Sequence, residues 1–539
     1  MQAPDSTVES QFNMNPWGWA TIFYLLSVST VSAQETKPRP NIILVMADDL
    51  GWSDIGCYGG EINTPHIDSL AQEGLRFTQF YNNAICGPTR ASLLTGLYCQ
   101  QVGHRGDRWN EPKDFSKCVT IAELLQLSGY QTMMVGKWQG RDLAVDRGFQ
   151  HFFGPMCQAK ISYFHEVENN PYYLNRKRIT LPADFYLTDT INDYAVRFLK
   201  QSLTEKKPFF LYVAHIAPHW PLHAREKVIS DFRTRYQRSG WDQVRAQRFL
   251  RQRESELIPE QWKLSPKPAA IPAWEHQDHQ HWQAERMSVY AAQVSAIDHG
   301  LGQIIQTLKE ANAAQNTLLI FLSDNGAAPD GGLTPSQSGF GFKPDSTNTN
   351  WRKDGVAIRP GSSSNNPPGP HDTFAAYGLA WANVSNTPLR GTKLEAYEGG
   401  IRTPLIVRWP AVIRERGGIT RQPGHVIDLM ATCLEIASVP YPTHFQGRIP
   451  LALEGKSLLP VFQGHQREPH KALCWDVPRH QAIRMGSWKA IRPRSKQDWQ
   501  LFNLDQDGTE TTDLSAQEPE RVKIMSTEFA RWYTRVTIN

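Results

Sequence analysis

Apolar residues come in short unbroken runs separated by amphipathic stretches. Asn41–Ala47 (NIILVMA) is continuous, which suits a strand buried on both faces. Ile121–Leu127 (IAELLQL) has helical spacing and Gly129 ends it. Residues 131–135 then restart as a strand running into Gly136-Lys137-Trp138. Phe209–Ala214 (FFLYVA) is a third strand, leading to Pro218-His219. Ile297, Leu301, Ile304, Ile305 and Leu308 mark one helix face, followed by a strand at 318–322 and the turn Ser323-Asp324-Asn325-Gly326. This alternation predicts an α/β fold, with a large mixed but mainly parallel sheet sandwiched by helices. In such sheets ligands bind beyond the carboxyl ends of the strands. Asp48-Asp49, Lys137, His219 and Asp324-Asn325 all sit just past a predicted strand, so four polar clusters are expected to converge on one edge.

Residues 327–372 are rich in Gly, Pro, Ser and Asn without periodicity, and they leave directly from Asp324-Asn325. A stretch of that length inside a compact domain is expected to wall or cover the site. Residues 250–282 are polar and contain His276, His279 and His281. No Cys or spaced carboxylate joins these histidines, so they read as a solvated connection and not as a metal site. After Pro450 a short helical piece leads to a strand-rich tail at 482–504 and a closing helix near 519–536. The expected division is a catalytic domain at 39–468 and a small C-terminal α+β subdomain at 469–539.

Residues 17–33 (WGWATIFYLLSVSTVSA) form the long apolar run of the chain and end in Val31-Ser32-Ala33. That pattern predicts a signal peptide at 1–33, cleaved before Gln34, and a run this short is marginal for spanning a bilayer. Asp5 and Glu9 precede it without any Lys or Arg, and a start at Met14 would remove both acids. The protein is therefore expected to be exported, periplasmic or secreted, with no stable membrane span once the signal is gone. Across 539 residues, 57 Lys+Arg face 53 Asp+Glu, a net charge of +4. So weak a balance argues against a nucleic-acid partner. Seven cysteines are too few for a disulfide scaffold, and their odd number leaves one outside any intrachain pairing.

One cysteine has a distinctive setting. Cys86-Gly87-Pro88-Thr89-Arg90 runs into Ala91-Ser92-Leu93-Leu94-Thr95-Gly96, and Pro88 close to a helix start places Cys86 at a helix N-terminus. Free backbone N–H groups and the helix dipole favour an anion there. The pattern Cys-x-Pro-x-Arg-x-x-x-x-Thr-Gly resembles the signature of the type I, formylglycine-dependent sulfatases of the alkaline phosphatase superfamily. Five fixed positions of this kind would match by chance in about one such chain in ten thousand. The resemblance extends to Asp48-Asp49-Leu50-Gly51, Gly136-Lys137-Trp138, Ala217-Pro218-His219, Asp324-Asn325-Gly326 and residues 390–404 (RGTKLEAYEGGIRTP). Residues 483–489 and 501–504 are similar to that family's C-terminal subdomain. Residues 377–388 (YGLAWANVSNTP) look closest to bacterial arylsulfatases.

The resemblance implies that Cys86 is oxidised to formylglycine by a maturation enzyme and works as a hydrate, one hydroxyl attacking sulfur and the other expelling sulfate. It also implies a hard divalent ion, Ca²⁺ with Mg²⁺ possible, held by Asp48, Asp49, Asp324, Asn325 and the group at position 86. Arg90 would hold the hydrate, Lys137 and Lys393 would bind sulfate oxygens, and His219 or Lys393 would protonate the leaving alcohol. The expected substrate is a small-molecule or glycan sulfate ester. Two alternatives stay open: a phosphonate or phosphodiester hydrolase of the same superfamily, and a turnover-impaired binder of sulfated ligands. The second arises from one departure. The family usually has Gly-Lys-Trp-His where this chain has Gly136-Lys137-Trp138-Gln139, and an amide cannot accept the proton that sulfate release requires. His215 is a candidate substitute base.

Overall fold

The computed structural model describes residues 11, 38–103, 117–140, 142–156, 161–167, 170–330, 359–360 and 364–537. Apart from residue 11, the expected signal segment at 1–33 lies outside these residues, as does most of 327–372. Residues from Arg39 onward form one compact unit.

Seventeen described strands make three sheets. The large one contains β1 (Asn41–Ala47), β2 (Leu75–Tyr81), β3 (Gln131–Gly136), β4 (His151–Pro155), β5 (Tyr172–Leu174), β6 (Lys177–Ile179), β7 (Phe209–Ala214) and β8 (Thr317–Ser323). A two-stranded ribbon, β9 (Arg359–Pro360) with β10 (Thr373–Phe374), stands apart. β11 (Arg402–Arg408), β12 (Gly418–Thr420) and β13 (Gly424–His425) return to the large sheet. Its order is β12-β2-β11-β8-β1-β7-β3-β4-β5-β6, with β13 also on β2. The centre from β8 to β4 is parallel, whereas β11, β5 and β6 run antiparallel to their neighbours. The mainly parallel prediction holds for this reason: β1, β3, β7 and β8 are each buried along their length, as strands covered on both faces must be.

Alternation along β1 divides the core in two. Ile43, Val45 and Ala47 face α1 (Pro65–Glu73), α4 (Leu187–Thr204), α5 (Glu226–Glu254), α6 (Gln280–Glu310) and α7 (Gly378–Ser385). Ile42, Leu44 and Met46 face α2 (Cys86–Thr95), α3 (Ile121–Leu127) and α9 (Asp428–Ala437). The two long helices extend well beyond what periodicity marked. α5 is strongly polar and turns at Gly240 (φ +58°), and α6 begins at Gln280, well before the Ile297 stripe. His276, His279 and His281 lie on the exposed side between them, as a solvated connection would, although residues 250–254 and 280–282 are helical.

The third sheet is the antiparallel meander β14 (Leu473–Asp476), β15 (His480–Met485), β16 (Trp488–Pro493) and β17 (Gln500–Asn503), backed by α11 (Pro519–Thr537). Met525, Phe529, Trp532 and Val536 of α11 pack on Cys474, Ile483, Ala490 and Leu501. α10 (Leu459–Phe462) is the short helix expected after Pro450. Buried charges tie this sheet to the large one. Lys489 bridges Glu398, in the short helix α8 (Glu398–Ile401), at 2.8 Å and Glu510 at 2.7 Å, while Arg402 pairs with Glu398 at 2.5 Å. All four side chains are fully buried. Removing one cation from such a cluster strands a carboxylate in low dielectric, which costs about 3–5 kcal/mol. Lys489→Met is therefore expected to lower unfolding stability by about that much in denaturant titrations, whereas the exposed-pair variant Lys471→Met stays near the parent.

Candidate functional site

Strand register builds the site. Met46 lies opposite Ala214 and Leu322, Ala47 opposite Ser323, and Ala214 opposite Gly136. The next residue of each strand therefore emerges at one level, and these are Asp48, Lys137, His215 and Asp324. Backbone bonds fasten the exits together: Asp48 N–H donates to Ala217 O (3.0 Å), Lys137 N–H to Ala214 O (2.8 Å) and Asp324 N–H to Ala47 O (3.2 Å).

Close approach explains several glycines of the motifs. A Cβ on Gly51 would sit 2.4 Å from Ser385 O, and one on Gly326 only 1.7 Å from Gly399 O. Gly96 ends α2 in the left-handed region (φ +65°), the usual glycine C-cap. Asp49 holds a left-handed backbone as well (φ +66°), a strain of about 1–3 kcal/mol for a residue with a side chain.

Three carboxylates and three cations then interlock. The Lys137 ammonium contacts Asp48 Oδ2. Arg90 reaches Asp324 Oδ2 at 2.7 Å and Asp48 Oδ2 at 3.4 Å. Lys393 donates to Asp49 Oδ1 at 2.5 Å, and the Asn325 amide to the same oxygen at 2.7 Å. Lys393 arrives from the far side because Lys393 N–H donates to Ala327 O and Leu394 N–H to Ala84 O, both at 3.0 Å. His219 places Nε2 3.5 Å from Asp49 Oδ2 while its Nδ1–H donates to Trp220 O at 2.6 Å. Cys86 opens α2, and ligand atoms of Asp48, Cys86 and Asp324 lie within 4.8 Å of one another. Every sequence-predicted site residue is thus in one cluster.

The electrostatics ask for a further cation. Burial and the neighbouring Asp48 charge push Asp324 up to about 6 despite Arg90. Burial would raise Asp48 too, but Lys137, His219, Arg90 and Lys393 outweigh it and hold its carboxyl far below the usual range. Asp48 Oδ1 and Asn325 Oδ1 are buried with no hydrogen-bond donor among the described residues. Asp49 Oδ2 likewise has no hydrogen-bond donor among the described residues, with His219 Nε2 3.5 Å away. Oxygen atoms left without donors, from two carboxylates and an amide beside the raised Asp324, fit a hard divalent ion.

Gln139 stands where the departure predicts, its amide nitrogen 3.6 Å from Cys86 Sγ. His215 lies beside Arg90, which bonds its carbonyl at 3.2 Å. Burial, with Arg90, drives the His215 ring down to about 3, leaving a weak base. None of the six described cysteines is in a disulfide, and Cys157 lies outside the described residues. Two neighbours of the site escaped the sequence reading. Trp220 donates its indole N–H to Asp330 at 3.0 Å and meets Phe374 edge to face at 5.4 Å. Asp330 belongs to the start of the expected covering stretch, and Trp220 follows the motif histidine directly, which was the available signal.

A sequence model of the sulfatase family matches residues 40–439, and one for the N-sulphoglucosamine sulphohydrolase C-terminus matches 392–531. An arylsulfatase of Klebsiella aerogenes is 33% identical over 444 residues, covering 78% of this chain and 91% of that protein. A sulfatase of Schizosaccharomyces pombe is 32% identical over 533 residues, covering 90% and 92%. Among solved structures, Ps i-CgsB superposes with a TM-score of 0.65 at 26% identity, covering 92% of each chain. The same protein in complex with k-i-k-neocarrahexaose gives 0.64.

The raised Asp324 fixes the sign of a pH effect. Stability from its protonated form is present below 3.8 and lost as pH rises through about 6. A divalent ion needs the carboxylate, so the ion's own stabilisation should be largest above pH 6. Below that, divalent-ion affinity measured by calorimetry is expected to weaken about tenfold per pH unit as a proton competes at this oxygen.

Proposed function

The chain belongs to the sulfatase family and is a sulfuric ester hydrolase, and from that premise we propose that it cleaves an aryl or carbohydrate sulfate with a nucleophile made from Cys86. The observation that carries this reading is the placement of Cys86: first residue of a helix, within ligand distance of Asp48 and Asp324, with Arg90 one turn on. Oxidised to formylglycine and hydrated, residue 86 would supply one hydroxyl for attack on sulfur and a second whose proton loss expels sulfate. Asp48, Asp49, Asp324 and Asn325 would hold Ca²⁺, or Mg²⁺, which supplies positive charge to lower the hydroxyl pKa.

The remaining roles follow from protein groups alone. Arg90 Nη1 is buried without an acceptor among the described residues, so a guanidinium N–H remains for an oxygen on residue 86. Lys137 and Lys393 each lean on a carboxylate, and an ion sharing those carboxylates would release the ammonium groups toward sulfate oxygens. Against burial, the Asp49 carboxylate holds the proton on Lys393 firmly. Burial, against Asp49, pulls His219 below its ordinary value. Lys393 therefore keeps its charge toward sulfate oxygens, and the proton for the leaving alcohol would come from His219 or Lys393. The apolar run at 17–33 supports export, where a formylglycine-generating enzyme would act on the chain during secretion.

Intact-mass analysis of the peptide carrying residue 86, after coexpression with a maturation enzyme, should show the thiol replaced by the aldehyde or its hydrate. Cys86→Ala should abolish sulfate release. An unmodified thiol in a fully active preparation would remove the mechanism. Paired sulfate and phosphodiester test substrates separate the alternative hydrolase, which would cleave the phosphodiester faster. Gln139→His is expected to raise the steady-state rate and reduce any burst, since it returns a base to residue 86. A rate and burst equal to the parent's would show that the glutamine is no handicap.

A further inference from the structure

Behind the 48–51 turn, on the side away from Arg90 and Lys137, lies a second buried polar cluster. Asp54 Oδ2 accepts from Gly51 N–H at 2.8 Å and from the Tyr290 hydroxyl at 2.7 Å. That hydroxyl also lies 3.2 Å from the Asp49 carbonyl oxygen and 3.4 Å from Gly51 N. Asp54 Oδ1 accepts from Arg248 at 2.7 Å, and Arg248 grips both oxygens of Glu61 at 2.7 and 2.8 Å. The Tyr290 ring stacks on Tyr377 with centroids 4.3 Å apart and planes 12° from parallel. Asp54, Arg248 and Tyr290 are fully buried. Arg248 comes from α5 and Tyr290 from α6, so both long helices meet this turn.

A cluster of this kind has a job to do at Asp49. That residue is held left-handed, a conformation that aspartate adopts more readily than most residues but that the turn around it must still hold. The contacts to its carbonyl and to Gly51 fix the turn on either side of Leu50. The direction of the Asp49 carboxylate is set with them. We propose that Tyr290 and Asp54 are positioning residues for the divalent-ion site: they hold the Asp49 turn so that its carboxylate is aimed before the ion binds. The inference rests on the reading of Asp48, Asp49, Asp324 and Asn325 as the ion's ligands.

The test uses the full chain stripped with EDTA and titrated with Ca²⁺ by calorimetry. Removing an outer support of a metal ligand costs about 10–100-fold in affinity. Tyr290→Phe keeps the ring and its stacking, and is expected to bind Ca²⁺ about 10–100-fold more weakly. Its metal-free melting temperature should stay near the parent's, and its kcat should return to the parent value at saturating Ca²⁺. Tyr130→Phe removes a buried hydroxyl that bonds Pro40 O at 3.1 Å and is not among the contacts to Asp49, Gly51 or Tyr290, and should bind as the parent does. Asp54→Asn should weaken binding in the same direction as Tyr290→Phe. Unchanged affinity in Tyr290→Phe overturns the inference while leaving the ion site standing, and so does an equal loss in Tyr130→Phe. A parent that binds neither Ca²⁺ nor Mg²⁺ overturns the ion site and this inference together.

Discussion

Three carboxylates, Asp48, Asp49 and Asp324, share a volume from which water is almost excluded, and the rest of the structure answers the charge they create. Each has its own cation: Lys137 on Asp48, Lys393 on Asp49, Arg90 on Asp324. Each cation comes from a different part of the chain. Repulsion is still not removed, since Asp324 remains raised and several oxygens lack donors. A site in this condition attracts a divalent ion, and once the ion is bound the three basic groups give it a surplus of positive charge. That surplus is what a sulfate ester anion needs.

Holding such a cluster demands rigidity from distant elements. The parallel centre of the sheet aligns four strand ends, and glycines at 51, 326 and 399 let the connecting loops touch backbone to backbone. The loop bearing Lys393 is braced from beneath by Glu398, whose charge is met by Lys489 and Arg402. The C-terminal sheet thus acts on the site through a buried ion cluster. Its apolar contacts with the 394–401 segment, through Leu394, Tyr397 and Ile401, complete the same clamp.

Much of this was legible from periodicity. The strands at 41–47, 131–135, 209–214 and 318–322 could be read because both faces are buried, which leaves continuous apolar runs. The polar residue after each strand could be read for the same reason. Helices α5 and most of α6 could not. α5 is strongly polar, and the buried part of α6 is lined by residues such as Gln283, Arg286 and Gln293 that no apolar stripe reveals. Tyr290 and Arg248 carried no local signal at all, because their partners are about 190 to 240 residues away in sequence.

The sequence by itself determined the chemistry: which side chains could act as ligand, cation or nucleophile precursor, and that they follow strands of a parallel sheet. Those are local facts, written in residue type and in the period of burial. Tertiary structure alone decided which carboxylate meets which cation, and that Gln139 faces Cys86. It also decided that His215, attractive as a base on paper, is disabled by burial next to Arg90. Pairing and desolvation depend on what long-range packing brings within a few ångströms, and no spacing along the chain contains that information.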